Sequence, residues 1–211
     1  MSAEGGRQPA EAMVRAHWCR GEFDMALGVA LREYGPEIFG FLVGLHRDDQ
    51  AAADVFSRFS EDLWRGLPKF GWNCSLRTWA YVLARHASHR HRRKEWARRR
   101  ETLGIDDQSL THLAAAVRTV TESWRRTEQK NRFAELRAGL PAEDQELLIL
   151  RVDRGLSWDE LARVMLHAES DIAPDRLAKE SARLRKRFQL LRERLRRLGR
   201  QVGLLREEAT G

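Results

Sequence analysis

Residues 76–100, LRTWAYVLARHASHRHRRKEWARRR, constrain the fold more than any other stretch. Leu76, Trp79, Ala80, Leu83 and Ala87 recur at spacings of three and four, which predicts a helix with one apolar stripe. Arg77, Arg85, His89 and Arg92 fall on the opposite face. The helix then becomes almost wholly basic through Arg90, Arg92, Arg93, Lys94, Arg98, Arg99 and Arg100, with Glu95 among them. So little acid cannot neutralise the run by intrahelical pairing. A basic run is often no more than a solvated face, but this imbalance favours a polyanion partner. Ahead of the helix stands a polar turn, Gly71-Trp72-Asn73-Cys74-Ser75. Trp72, Trp79 and Trp96 interleave with the arginines, and aromatics on a basic surface suit unstacked bases. Trp79, on the stripe, reads as core. Trp72 fits core packing or base contact equally well.

The chain of 211 residues allows one domain or two small ones. Its net charge is +7, and 33% charged residues against 42% hydrophobic ones suggest small or elongated units with much surface. No apolar run is long enough to span a bilayer. The N-terminus lacks the basic-then-apolar pattern of a signal peptide, so a cytoplasmic protein without membrane insertion is expected. Cys19 and Cys74 fit a reducing compartment and no disulfide framework. His17 and Cys19, and the trio His86, His89 and His91, are ligand types without CxxC or HExxH spacing, so no metal site and no cofactor is expected. Without a glycine-rich phosphate loop or a placed carboxylate pair, an enzymatic reading has little support.

Residues 1–10 read as disordered and 1–21 as an N-terminal extension, with a short helix over Ala12–Arg20 ended by Gly21. A helix is expected over Phe23–Tyr34, broken by Gly35-Pro36, with a new helix over Glu37–His46. Asp48 or Asp49 is a good N-cap for a helix over Gln50–Arg65. Val55, Phe56, Phe59, Leu63 and Trp64 form its stripe, while Asp54, Arg58, Glu61 and Asp62 lie mostly off it. Residues 22–100 therefore read as one compact helical domain. Residues 101–130 read as a linker holding an amphipathic segment, Leu110–Trp124. A second domain is expected over 131–200, with a tail over 201–211. Pro141 opens a helix whose buried face is Leu147, Leu148, Leu150 and Val152, and Gly155 stops it. Ser157-Trp158-Asp159-Glu160 is a capping box. After a stretched segment, Leu166–Lys179, Pro174 opens a last helix with the seam Leu184, Phe188, Leu191, Leu195 and Leu198. Short helix, turn and basic helix make the layout of a helix-turn-helix reader. A short coiled coil over Leu184–Leu198 is the other reading.

Two blocks resemble bacterial sigma factors of the extracytoplasmic-function (ECF) type. Leu76-Arg77-Thr78-Trp79-Ala80-Tyr81-Val82-Leu83-Ala84-Arg85, behind a polar turn and ahead of an Arg-rich run, is similar to that family's promoter-opening segment. Ala53-Asp54-Val55 with Leu63-Trp64 is similar to its polymerase-clamp-binding helix. Leu140-Pro141 and Gly155-Leu156-Ser157-Trp158-Asp159-Glu160-Leu161-Ala162 resemble the entry to its C-terminal helix-turn-helix, and Arg183-Leu184, Arg187 and Leu191 its recognition helix. Ser57, Arg58 and Ser60 stand where the family usually has a Gln-Glu pair and a Phe, and His86 where it often has Asn.

The resemblance implies an all-α, two-domain protein without catalysis of its own. Its partners would be core RNA polymerase, promoter DNA and, in some members, an anti-sigma protein. Asp54, Arg58, Glu61 and Asp62 would meet polymerase. Trp72, Asn73, Cys74, Ser75, Arg85, His86, His89, Arg90, Arg92 and Arg93 would capture the opened strand. Glu180, Ser181, Arg183, Arg185, Lys186 and Arg187 would face the upstream duplex element. The rival readings are a stand-alone helix-turn-helix regulator, which needs no polymerase surface, and a helical adaptor joined through the Leu184–Leu198 seam.

Overall fold

The computed structural model describes residues 7–103, 136–168 and 171–201. The Leu110–Trp124 segment lies outside them. The described residues are helical, with no strand among them: α1 (Arg7–Cys19), α2 (Phe23–His46), α3 (Asp49–Gly66), α4 (Leu76–Leu103), α5 (Ala142–Leu148), α6 (Trp158–Met165) and α7 (Pro174–Gln201). The chain divides into two units. One joins residues 1–89 with 141–191, and the other joins 90–140 with 192–211. The stretches expected as two domains thus both contribute to the first unit.

Helix α1 begins at Arg7, earlier than the composition suggested, and buries Ala10 and Val14. Its Trp18 indole donates to the carbonyl of Leu67 at 2.8 Å. Gly21 then turns the chain with φ +72°, a conformation that costs glycine little. The expected break at Gly35-Pro36 does not occur, because α2 runs through Pro36. The proline ring is exposed, whereas Tyr34, Gly35, Ile38 and Phe41 are buried around it. The lost hydrogen bond therefore faces solvent, and the buried contacts on both sides keep the helix continuous. Asp48 caps α3, its carboxylate accepting from the Ala51 amide at 2.7 Å. Ala52, Val55, Phe59 and Leu63 are the buried stripe of that helix.

Helix α5 ends in a wide turn over Ile149–Asp153 with i→i+5 bonding. The extra residue shifts the face, so Leu150 stays buried while Val152, expected in the core, is 57% exposed. Gly155, at φ +68°, closes the turn. The capping box of α6 is complete: Ser157 Oγ accepts from the Glu160 amide and Glu160 accepts from the Ser157 amide. In α7, Leu184 and Leu191 are fully seated, and Phe188 packs edge-on against Trp158. Leu195 and Leu198 are half-buried.

Gly40 and Gly44 form one small-residue row of α2 on which residues 149–154 rest. A Cβ at Gly40 would stand 2.8 Å from the Arg154 guanidinium, and one at Gly44 would stand 3.5 Å from Ile149 Cδ1. In the second unit, α4 continues with Arg90, Arg93, Lys94 and Arg98 exposed, and the end of α7 exposes Arg192, Arg194, Arg196 and Arg197.

Candidate nucleic-acid interface

Ser75 opens α4. Its hydroxyl oxygen accepts from the Thr78 amide at 3.1 Å, and its carbonyl accepts from the Trp79 amide. The Leu76 amide donates to the Glu11 carboxylate of α1 at 3.2 Å, an anion placed where the helix dipole favours one. Within the turn, Asn73 is exposed and Cys74 half-buried. Burial raises the Cys74 thiol above its ordinary pKa, which makes it a poor nucleophile. Trp72 sits at φ +56° between Trp18 and Phe70, with the Arg15 guanidinium over its ring at 5.3 Å. Its indole N–H is buried with no hydrogen-bond partner. Ser75 therefore serves as a cap, and Asn73 is the turn residue most open to a ligand.

The first ten residues of α4 are buried on every side. The apolar stripe is as expected, with Leu76, Trp79, Ala80, Leu83 and Ala87 all within the core. The opposite face is not open at its N-terminal end, and this corrects the placement of Arg77 and Arg85. Arg77 is clasped by Glu37, with Nε at 3.1 and 3.2 Å from the two carboxylate oxygens and Nη2 bound to one of them. Tyr81 donates to the same carboxylate at 2.8 Å, and Arg77 also donates to the Arg154 carbonyl at 2.7 Å. Burial and the Glu37 charge push the Tyr81 phenol up, so it stays a donor. Arg85 is 4% exposed and bonds Glu146, itself 1% exposed, at 2.8 Å. It also donates to the Met165 carbonyl at 3.3 Å. His89 stands 3.2 Å from the second Glu146 oxygen. His86 and His89 both meet the ring of His167 edge-on. Thr78 donates to Glu160 at 3.1 Å. Burial, together with the charges of Arg85, His86 and His89, pushes the His167 imidazole down to about 4. Of the residues expected to capture a strand, Arg90 and Arg93 are exposed and Arg92 is half-buried.

On α3, Asp54, Arg58 and Glu61 are exposed and Asp62 is half-buried. Asp54 accepts from Gln50 at 3.2 Å, and Arg58 pairs with Glu61 at 3.3 Å. Ser57 and Ser60 donate back to the carbonyls of Ala53 and Phe56. On α7, Arg185 and Lys186 are exposed, and the Arg185 guanidinium leans over Trp158 at 5.9 Å. Arg183 pairs with Glu180 on its own helix, both its Nε and Nη2 within 2.8 Å. Arg187 is bound by Glu143 and Asp144 of α5 at 2.6 Å each. Ser181 does not face outward. It is 3% exposed and bonds the Asp159 carboxylate at 2.7 Å, tying α6 to α7.

Glu37, Glu146, Glu160 and His167 were missed as partners of the basic helix. For Glu146 a signal was available, because it shares a helical face with Leu147 and Leu150, where an acid is out of place without a cation opposite. Among the described residues no cluster of His, Cys, Asp and Glu could hold a metal ion, and no helix is long and apolar enough to cross a membrane.

Residues 30–98 match the family described as Sigma-70 region 2. No curated protein matches the chain. Among solved structures, the fold is similar to the sigma factor RpoE from Bartonella quintana, crystallised in complex with the anti-sigma factor NepR. The TM-score is 0.53 at 18% identity, covering 82% of this chain and 97% of that one. The matched region runs from within α2 to the exposed basic part of α4, and it is this segment that is similar to Sigma-70 region 2, while the fold of the chain is similar to that of a sigma factor.

Proposed function

We propose that the protein binds core RNA polymerase, recognises promoter DNA and opens it. The polymerase surface is α3, through Asp54, Arg58, Glu61 and Asp62. The strand is captured by Asn73 and by the outer face of α4, where Arg90, Arg92 and Arg93 track phosphates while Arg85, His86 and His89 become available on rearrangement. Duplex DNA upstream meets α6 and α7, which we read as a helix-turn-helix with Arg185 and Lys186 foremost. The observation that carries this reading is the continuity of one region-2 segment, residues 30–98, from a charged helix face to an exposed arginine helix. Extruding a base costs a few kcal/mol, recovered through stacking and edge contacts. In this role an anti-sigma protein is a further partner, as in the complex of the RpoE neighbour with NepR.

The test is charge reversal, Asp54→Arg with Asp62→Arg. Co-purification with core polymerase should be lost while the helical circular-dichroism signal persists. Retained co-purification would refute the α3 assignment. Tight duplex binding and transcriptional effects that need no contact with polymerase would instead support a stand-alone regulator.

A further inference from the structure

Glu146 is an acid that the proposed function does not use, yet it holds the residues that function needs. Its carboxylate is 1% exposed and is shared by Arg85 and His89. Such a buried charge persists only while its counter-charges stay in place. Around it, residues 141–167 close over the N-terminal half of α4 through Met165 on Arg85, His167 on His86, and Glu160 on Thr78. The contact is fitted on its other edge too, where Arg154 and Ile149 rest on Gly40 and Gly44. A strand cannot reach Arg85 while this seam is shut.

We propose that Glu146 is an intramolecular latch whose carboxylate takes, on Arg85 and His89, the place a nucleic-acid phosphate would take. The chain alone is then a closed form, and the strand-capturing face opens when residues 141–167 lift from α4. A partner that binds only the open form shifts the balance by its differential affinity. DNA binding by the free chain is weakened by the fraction of molecules that are closed. The latch rests on the geometry of the seam, and its effect on DNA rests on the proposed function.

The test is Glu146→Gln in the full chain, which removes the charge and keeps the shape. Three quantities are read: amide exchange over residues 76–89, the radius of gyration from small-angle scattering, and affinity for a fluorescent duplex with a premelted bubble in the absence of polymerase. Exchange should accelerate, the radius should grow, and affinity should rise on the order of tenfold as closed molecules are released. Unchanged exchange and radius would overturn the latch. Opening without any gain in DNA affinity would retain the latch but refute the phosphate role and the strand-capture reading with it. If Glu146→Gln loses its helical signal, Gly40→Leu combined with Gly44→Leu takes its place. That pair wedges residues 149–154 away from α2 without touching the ion pair, and leucine favours the helix more than glycine does. The same readouts apply, and an unmoved seam overturns the proposal.

Discussion

Replacing Glu37 by Gln should reveal how much of the fold hangs on one carboxylate. Glu37 receives the guanidinium of Arg77 through both Nε and Nη2, and the Tyr81 hydroxyl besides. The two charged side chains are only 10% and 16% exposed. Removing one partner of a buried pair costs about 3–5 kcal/mol, because the other charge stays desolvated. The Gln amide oxygen can still accept a bond, and slight exposure softens the field, so about 3 kcal/mol is expected. For a chain of this length that lowers the melting temperature by about 6–12 °C. The double replacement Glu37→Met with Arg77→Met removes both charges. It strands the Tyr81 hydroxyl and the Arg154 carbonyl, so about 1–2 kcal/mol is expected. Thermal unfolding followed by circular dichroism measures both. A Glu37→Gln variant no less stable than the double variant would refute the claim that an uncompensated Arg77 charge is the source of the cost.

His167 has an imidazole held near 4 in the folded chain against an ordinary 6.5. The groups facing it are Arg85, His86 and His89 from α4 and Glu146 from α5. Its neutral form is the one that fits, so its contribution is complete above pH 6.5 and is lost as pH falls from 6.5 through 4. The ceiling is about 3 kcal/mol, and roughly half of that after solvent screening. Urea unfolding across that window should show the loss in the natural chain and a shallower one in His167→Gln, and equal slopes would refute it. Arg187→Ala should both weaken duplex binding and lower the melting temperature, because it frees Glu143 and Asp144 on α5. Lys186→Ala should weaken binding alone, with a smaller salt dependence, and a matching loss of stability would count against that division.

The helices were legible because apolar spacing, the Asp48 cap, the Ser157 capping box and Pro174 are local signals. Pro36 misled because its cost depends on whether the lost bond faces water, which is settled by residues packing around it. Val152 misled because a single i→i+5 turn rotates everything after it. For the candidate site, the exposed arginines of α4 followed from charge imbalance alone. The burial of Arg77 and Arg85 did not. Their partners lie 40 and 61 residues away, and periodicity on one helix says nothing about what covers its far side. Ser181 was unreadable for the same reason, since its tie to Asp159 depends on how α6 and α7 meet.

The separation of Arg85 from Glu146 also has a meaning in time. A ribosome reaches Glu146 61 residues after Arg85, which at 5–20 residues per second takes roughly 3–12 s. Helices α1 to α3 can assemble on the apolar side of α4 during that interval, since their partners are already made. On the cationic side Arg77 can meet Glu37 of α2 at once, but Arg85 and His89 wait for Glu146 until α5 emerges. Each newborn chain therefore passes through a period in which Arg85 and His89 lack Glu146, close to the ribosome's own RNA. The rate at which residues 141–167 are delivered then sets how long that exposure lasts.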